Sequence, residues 1–172
     1  MASNKVRWIK NLFGAAEPLV MYGLFQAGAT QAVKRGEILS KTADTNTRFE
    51  PVGADVAGNA NIAIANEEIK AGDRAGYYEI VVPRLGDVFE FALDTAAATA
   101  VGAALKSATS ETLSATGSNA LAYACGQEHY PQKQGHVTDD ASPDSGETIR
   151  VQSTVLVTFK EAVSHLKLFQ VA

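Results

Sequence analysis

The chain has 172 residues, 46% of them hydrophobic, which is enough for a real core and excludes a wholly disordered protein. Its 15 Lys and Arg against 19 Asp and Glu leave a net charge of −4, the wrong balance for a dedicated nucleic-acid binder, which needs a basic excess to neutralise phosphates. No apolar run approaches the roughly 20 residues of a membrane-spanning helix, the N-terminus lacks a signal-peptide stretch, and the single cysteine, Cys125, excludes an internal disulfide; the expected setting is a cytoplasm, with stability drawn from packing and association.

The first segment, Ser3 to Phe13, sets Lys5, Arg7 and Lys10 among Trp8, Ile9, Leu12 and Phe13, with no acid before Glu17. It is basic and amphipathic, and residues 1–17 are expected to form an N-terminal arm. Such an arm suits lying on an anionic membrane or docking on an acidic protein surface, with Trp8 as anchor, because aromatic and Arg residues dominate binding hot spots. A first structured element packed on the chain's own core is the other reading; of the two partners the protein surface is the expected one, and no membrane contact is expected. Residues 18–172 are expected to form a single β-rich domain.

Within it, Leu19 to Phe25 and Val33 to Leu39 read as two short strands separated by Gly28, the second carrying Lys34-Arg35-Gly36. Arg48 to Val52 and Ile62 to Ala65 add two more. Glu67 and Glu68 beside Asp73 form a charged turn, since adjacent strand residues point to opposite faces and make a poor acid–base pair. Tyr77 to Leu93 reads as strand, turn, strand: Pro83 cannot donate to a central ladder and Gly86 can take positive φ, so the chain changes direction between them.

Thr95 to Ser107 is alanine-rich and ambiguous, alanine favouring helix while Thr99, Val101 and Gly102 weaken one. The clearest strand is Thr148 to Phe159, where Ile149, Val151, Val155, Val157 and Phe159 alternate with polar residues. The C-terminal run Val163, Leu166, Leu168, Phe169 and Val171 is apolar for a chain end and is expected to be packed. Short strands punctuated by Gly, Asn and Asp point to a mainly β chain, a small β-barrel or β-sandwich.

A weak repeat runs through it. Gly36 to Lys41, Arg48 to Val52, Asn61 to Ala65 and Ala71-Gly72-Asp73 are echoed by Gly102 to Ser107, Glu111 to Ala115, Asn119 to Ala124 and Ser145-Gly146-Glu147. A duplication would make Val101 to Leu105 a strand. Each copy would be a strand-turn-strand-strand unit unable to bury its apolar face alone, so the two would share one core. The second copy carries a long polar loop at 126–146.

No chemistry converges. The chain lacks a G-x-S-x-G elbow, a G-x-G-x-x-G turn and a phosphate loop. Cys125, His129 and His136 with Asp139 or Asp140 match no familiar zinc spacing, and the acidic run Asp139, Asp140, Asp144 and Glu147 contains Pro143 and lacks EF-hand spacing. A solvated polar loop is the expected reading, with no catalytic residue, metal or cofactor. Tyr77, Tyr78, Phe89 and Phe91 would line the pocket of a soluble ligand-binding barrel, or, as aromatics on alternating strands usually do, fill the core.

The order Val33-Lys34-Arg35-Gly36-Glu37-Ile38-Leu39, Arg48-Phe49-Glu50-Pro51-Val52, Ala71-Gly72-Asp73 and Gly146-Glu147-Thr148-Ile149-Arg150-Val151 resembles phage head decoration proteins over roughly residues 30–160. The resemblance implies a non-enzymatic β-rich cement protein, a homo-oligomer (trimer or dimer) that binds the major capsid protein on the outer virion surface after assembly in a host cytoplasm. It carries over no catalytic residue; no cofactor is expected, and the acidic balance already argues against nucleic acid. The arm residues Lys5, Arg7, Trp8, Ile9, Lys10, Leu12 and Phe13 lie outside the resemblance and are the candidate capsid contact. Another virion component, such as a tail-tube, head-completion or fibre-base protein, is the alternative.

Overall fold

The structure is a computed structural model and describes residues 6–25, 32–41, 48–55, 61–73, 75–94, 100–115, 119–126 and 154–160. Among them are eleven strands and no helix: β1 (Arg7–Asn11), β2 (Val20–Phe25), β3 (Ile38–Lys41), β4 (Phe49–Pro51), β5 (Ile62–Ala65), β6 (Gly76–Val81), β7 (Asp87–Leu93), β8 (Ala104–Ser107), β9 (Thr112–Ser114), β10 (Ala122–Gly126) and β11 (Thr154–Phe159).

The strands close into two barrels. Strands β2 to β6 form one ring in the order β2-β4-β3-β5-β6. Strands β7 to β11 form the other, in the order β7-β9-β8-β10-β11, and β1 is added to the outside of β7. Each ring has one parallel pair, β2 with β4 and β7 with β9, joined at Phe25↔Phe49 and Leu93↔Leu113. Every other pairing is antiparallel.

A five-stranded ring is narrow, and the alanines follow from that. Ala63 and Ala65 on β5, and Ala122 and Ala124 on β10, are the inward residues of their strands and are buried. On β2, a Cβ at Gly23 would come within 2.8 Å of the Phe49 ring, so glycine is what lets that ring fill the first barrel.

The duplication is real at the level of hydrogen bonds. Gly36 (φ 93°) and Gly102 (φ 84°) occupy matching positive-φ turns. Gly36 N donates to Ala65 O and Gly102 N to Ala124 O, at 2.8 and 2.7 Å. Ala65 N returns a bond to Glu37 O and Ala124 N to Ala103 O, both at 2.9 Å. The repeated unit differs from the one expected, however. It is five strands that close on themselves, rather than three that need the other copy. The outer two strands of each unit read as strands but not as part of the repeat, because their sequences diverge: Val20-Met21-Tyr22-Gly23 stands where Val88-Phe89-Glu90-Phe91 stands in the second barrel.

The first barrel encloses Phe25, Leu39, Phe49, Ile69, Ile80 and Val82. Its outer face, Ile38, Ile62 and Ile64 with Val52 and Val81, is continuous with the core of the second barrel. That double duty explains why Ile62 to Ala65 reads as an unbroken apolar run. Polar bonds pin the seam: Ile38 N to Ser110 O at 2.6 Å and Asp55 N to Ser107 O at 2.7 Å. The buried Glu37 carboxylate accepts from Ser110 Oγ at 2.9 Å and from Lys34 N at 2.8 Å. Lys34 also pairs with Glu111 across the seam.

Two element boundaries differ from expectation for one reason. Val33 makes only an isolated bridge to Ile69, and the chain turns at Gly36 before β3 begins. Likewise Val101 and Gly102 form a turn and β8 starts at Ala104. In both copies the positive-φ glycine interrupts what read as continuous strand. Residues 148–153, the polar loop beyond Gly126, the histidines with their acidic neighbours, and the C-terminal run lie outside the described residues.

Candidate functional site

The segment expected as an arm is, in its described part, a strand followed by a tight turn. β1 runs antiparallel to the N-terminal half of β7, with Arg7↔Glu90, Trp8↔Phe89, Lys10↔Val88 and Asn11↔Asp87 in register and a bulge at Ile9. Arg7 forms an ion pair with Glu90 at 2.7 Å. Lys10 is exposed and Ile9 half-buried. No strand among the described residues pairs with the outer edge of β1, and the bulge and the two cations blunt it against further pairing.

Trp8 is turned to the protein's own interior. It packs against the second barrel's core, and its indole N–H donates to Asp87 Oδ1 at 3.0 Å. Asp87 is fully buried and is the organising residue of the site. Its Oδ1 also accepts from Asn11 Nδ2 at 2.8 Å, and its Oδ2 from Arg84 N at 2.9 Å and Arg84 Nε at 3.2 Å. A buried carboxylate is tolerable only when donors fill its lone pairs, and here three residues fill them.

Those bonds hold two turns side by side. Asn11 closes the first, its Oδ1 accepting Phe13 N at 2.8 Å, an arrangement asparagine favours because its side chain mimics a backbone turn. Gly14, at φ 91°, completes it. The second is Pro83-Arg84-Leu85-Gly86, which links the two barrels; Asn11 Nδ2 reaches Leu85 O at 3.2 Å and Arg84 bonds Glu17 O. The Phe13 ring lies over Gly86, where a Cβ would meet it at 2.5 Å.

The outcome is an apolar tip on a rigid base. Leu12 is 57%, Phe13 73% and Leu85 52% exposed. Exposed apolar groups fixed by a buried polar network cost little ordering entropy when they bind, which is how a contact surface is pre-organised.

Comparison with protein-family models, curated proteins and solved structures returns no match.

Of the candidate contact residues, the structure brings Arg7, Trp8, Ile9, Lys10, Leu12 and Phe13 onto one strand and its turn, and Lys5 lies outside the described residues. Leu85, Arg84, Asn11 and Asp87 were not singled out from the sequence; the Asn11-x-x-Gly14 and Leu85-Gly86-Asp87 turn patterns were the available signals. Phe89 and Phe91 fill the second barrel, each meeting Phe159 edge-on at centroid distances of 5.5 and 5.8 Å. Tyr78 packs edge-on against Phe25 inside the first barrel, while Tyr77 points outward. The four aromatics therefore line no common pocket. Glu67 and Asp73 bond the backbone N–H groups of Glu79 and Lys70, as turn residues do.

Proposed function

We propose that this chain is a structural component of a phage particle that binds the outer surface of the shell and cements neighbouring capsid subunits. The observation that carries this reading is the tip: Leu12, Phe13 and Leu85 project beside the cationic strand β1 from a base fixed by a buried carboxylate. Two barrels filled by their own side chains suit a rigid spacer. Weak contacts repeated over a lattice make avidity large even where each is modest.

Quantitative mass spectrometry of purified particles is the direct test. Copies of this chain in a ratio near one, or in a simple fraction, to the major capsid subunit support the reading. A handful per particle favours a tail or portal component, and absence sinks it. For the contact itself, truncating the first sixteen residues would strip β1 from β7, so point variants are cleaner. Leu12→Ser with Phe13→Ser removes two exposed hot-spot side chains worth about 2 kcal/mol or more together, so shell affinity falls at least about thirtyfold. Unchanged saturation of shells by that variant would remove the tip from the contact.

A further inference from the structure

The two barrels share a topology, so each reports what the other lacks. Counting back from the parallel bridges Phe25↔Phe49 and Leu93↔Leu113, Met21 in β2 matches Phe89 in β7, and Tyr22 matches Glu90. In the second barrel that half of the strand carries β1 on its free edge, Trp8 opposite Phe89 and Arg7 opposite Glu90. The core beneath it is sealed, with Phe89 1% exposed.

In the first barrel the matching edge has no strand among the described residues. Among the described residues β4 meets β2 at Phe25 alone. On its other side β2 pairs with β6 from Val20 to Phe25, and Val82 N donates to Leu19 O at 2.9 Å. Antiparallel pairing alternates, so the backbone groups of Val20, Tyr22 and Leu24 face away from β6; Leu24 lies beside β4 at the Phe25↔Phe49 bridge, which leaves Val20 and Tyr22 on the open edge. The core beneath is correspondingly unsealed, with Leu19, Met21 and Tyr78 only partly buried. Beside it Val20 is 42% and Tyr22 66% exposed.

We infer that the β2 edge is a strand-addition site that takes an extended segment of the shell protein, antiparallel to β2. The position of β1 on the second barrel defines the chemistry of that segment: a bulky apolar residue opposite Met21 to close the core, and a cation opposite Tyr22, where it meets the ring face and the neighbouring Glu79 carboxylate. Main-chain bonds supply affinity, and the two side chains supply selectivity. The identity of the partner rests on the shell-binding reading above; the open edge does not.

The test uses the full-length protein, purified shells, and a synthetic peptide of residues 5–12, which carries Arg7 and Trp8 in the required spacing. Amide hydrogen exchange is expected to show Val20 and Tyr22 exchanging freely in the free protein and slowing at least about tenfold with peptide. A peptide N-methylated on alternate residues fails to protect them. Tyr22→Pro, which removes an edge-facing donor and leaves the β6 ladder intact, lowers both peptide and shell affinity at least about tenfold with circular dichroism unchanged. Protection of those amides in the free protein means that the chain fills its own edge, and overturns the proposal. Shell binding by Tyr22→Pro equal to wild type overturns the docking site while the cement reading stands. Failure of wild-type protein to bind shells removes the shell protein as occupant, leaving the peptide titration to report on the edge alone.

Discussion

Replacing Asp87 with Ala tests the base of the tip. The carboxylate is fully buried and satisfies Trp8 Nε1, Asn11 Nδ2, and the backbone and guanidinium N–H groups of Arg84. Removing it leaves the indole, amide and Arg84 N–H groups without their acceptor, at about 1–3 kcal/mol for each that stays dry. It also strands a guanidinium whose side chain is 23% exposed, so part of that charge is recovered by water. The sum expected is about 3–5 kcal/mol, read as a shift in the urea midpoint at constant slope. Trp8→Phe removes a single donor and should cost about 1–2 kcal/mol. Because both changes act on one network, the double variant should cost less than the sum, with a coupling of about 0.5–3 kcal/mol. A loss below about 1 kcal/mol for Asp87→Ala, with additive behaviour, would refute the claim that this carboxylate fixes β1 and the tip.

Gly86→Ala should destabilise by about 1–3 kcal/mol, because φ is 81° and the new Cβ meets the Phe13 ring; in a Phe13→Ala background only the backbone share of about 1 kcal/mol should remain by thermal denaturation. Phe91→Ala should cost about 3–5 kcal/mol by urea unfolding, since the ring is buried between Phe89 and Phe159 and its loss opens a cavity. The Lys34 ammonium is held above its ordinary range by its hydrogen bond to Glu111. A raised pKa favours the charged folded state, so this pair's contribution is complete below about pH 10.5 and is lost as pH rises through the raised value. Glu111→Gln should remove that alkaline dependence from a melting-temperature profile.

The β character was legible because it is written locally. Alternation in Val155, Val157 and Phe159 and the turn glycine at 86 fix strands and turns within a few residues of themselves, whereas Gly36 and Gly102 sit in stretches that read as strand. The middle strands of the duplication were legible for the same reason, Ile38-Leu39-Ser40-Lys41 and Ala104-Leu105-Lys106-Ser107 keeping their polarity. Closure of each copy was not legible, because it depends on pairing β2 with β6 and β7 with β11, and those strands share no pattern. The fate of Trp8 was equally hidden. Its deciding partner, Asp87, lies 79 residues away and reads in sequence as an ordinary turn acid. A basic amphipathic stretch looks the same whether its aromatic faces a partner or its own core.

A duplicated chain carries an internal control, and the differences between its copies say more than either copy alone. Sharing a topology, the two barrels should need the same seals. The second has them: Phe89 where the first has Met21, β1 along its edge, and Trp8 over its core. The first has a partly exposed Met21 and an exposed Tyr22 at the same places. Folding alone does not require this asymmetry, since a longer side chain and a local strand would close the first barrel as they close the second. Among the described residues it leaves an uncovered edge on β2, while the connection from β1 to β2 carries the apolar tip. The proposed shell contact would use both features, and chain connectivity joins them through only a few residues between Phe13 and Val20.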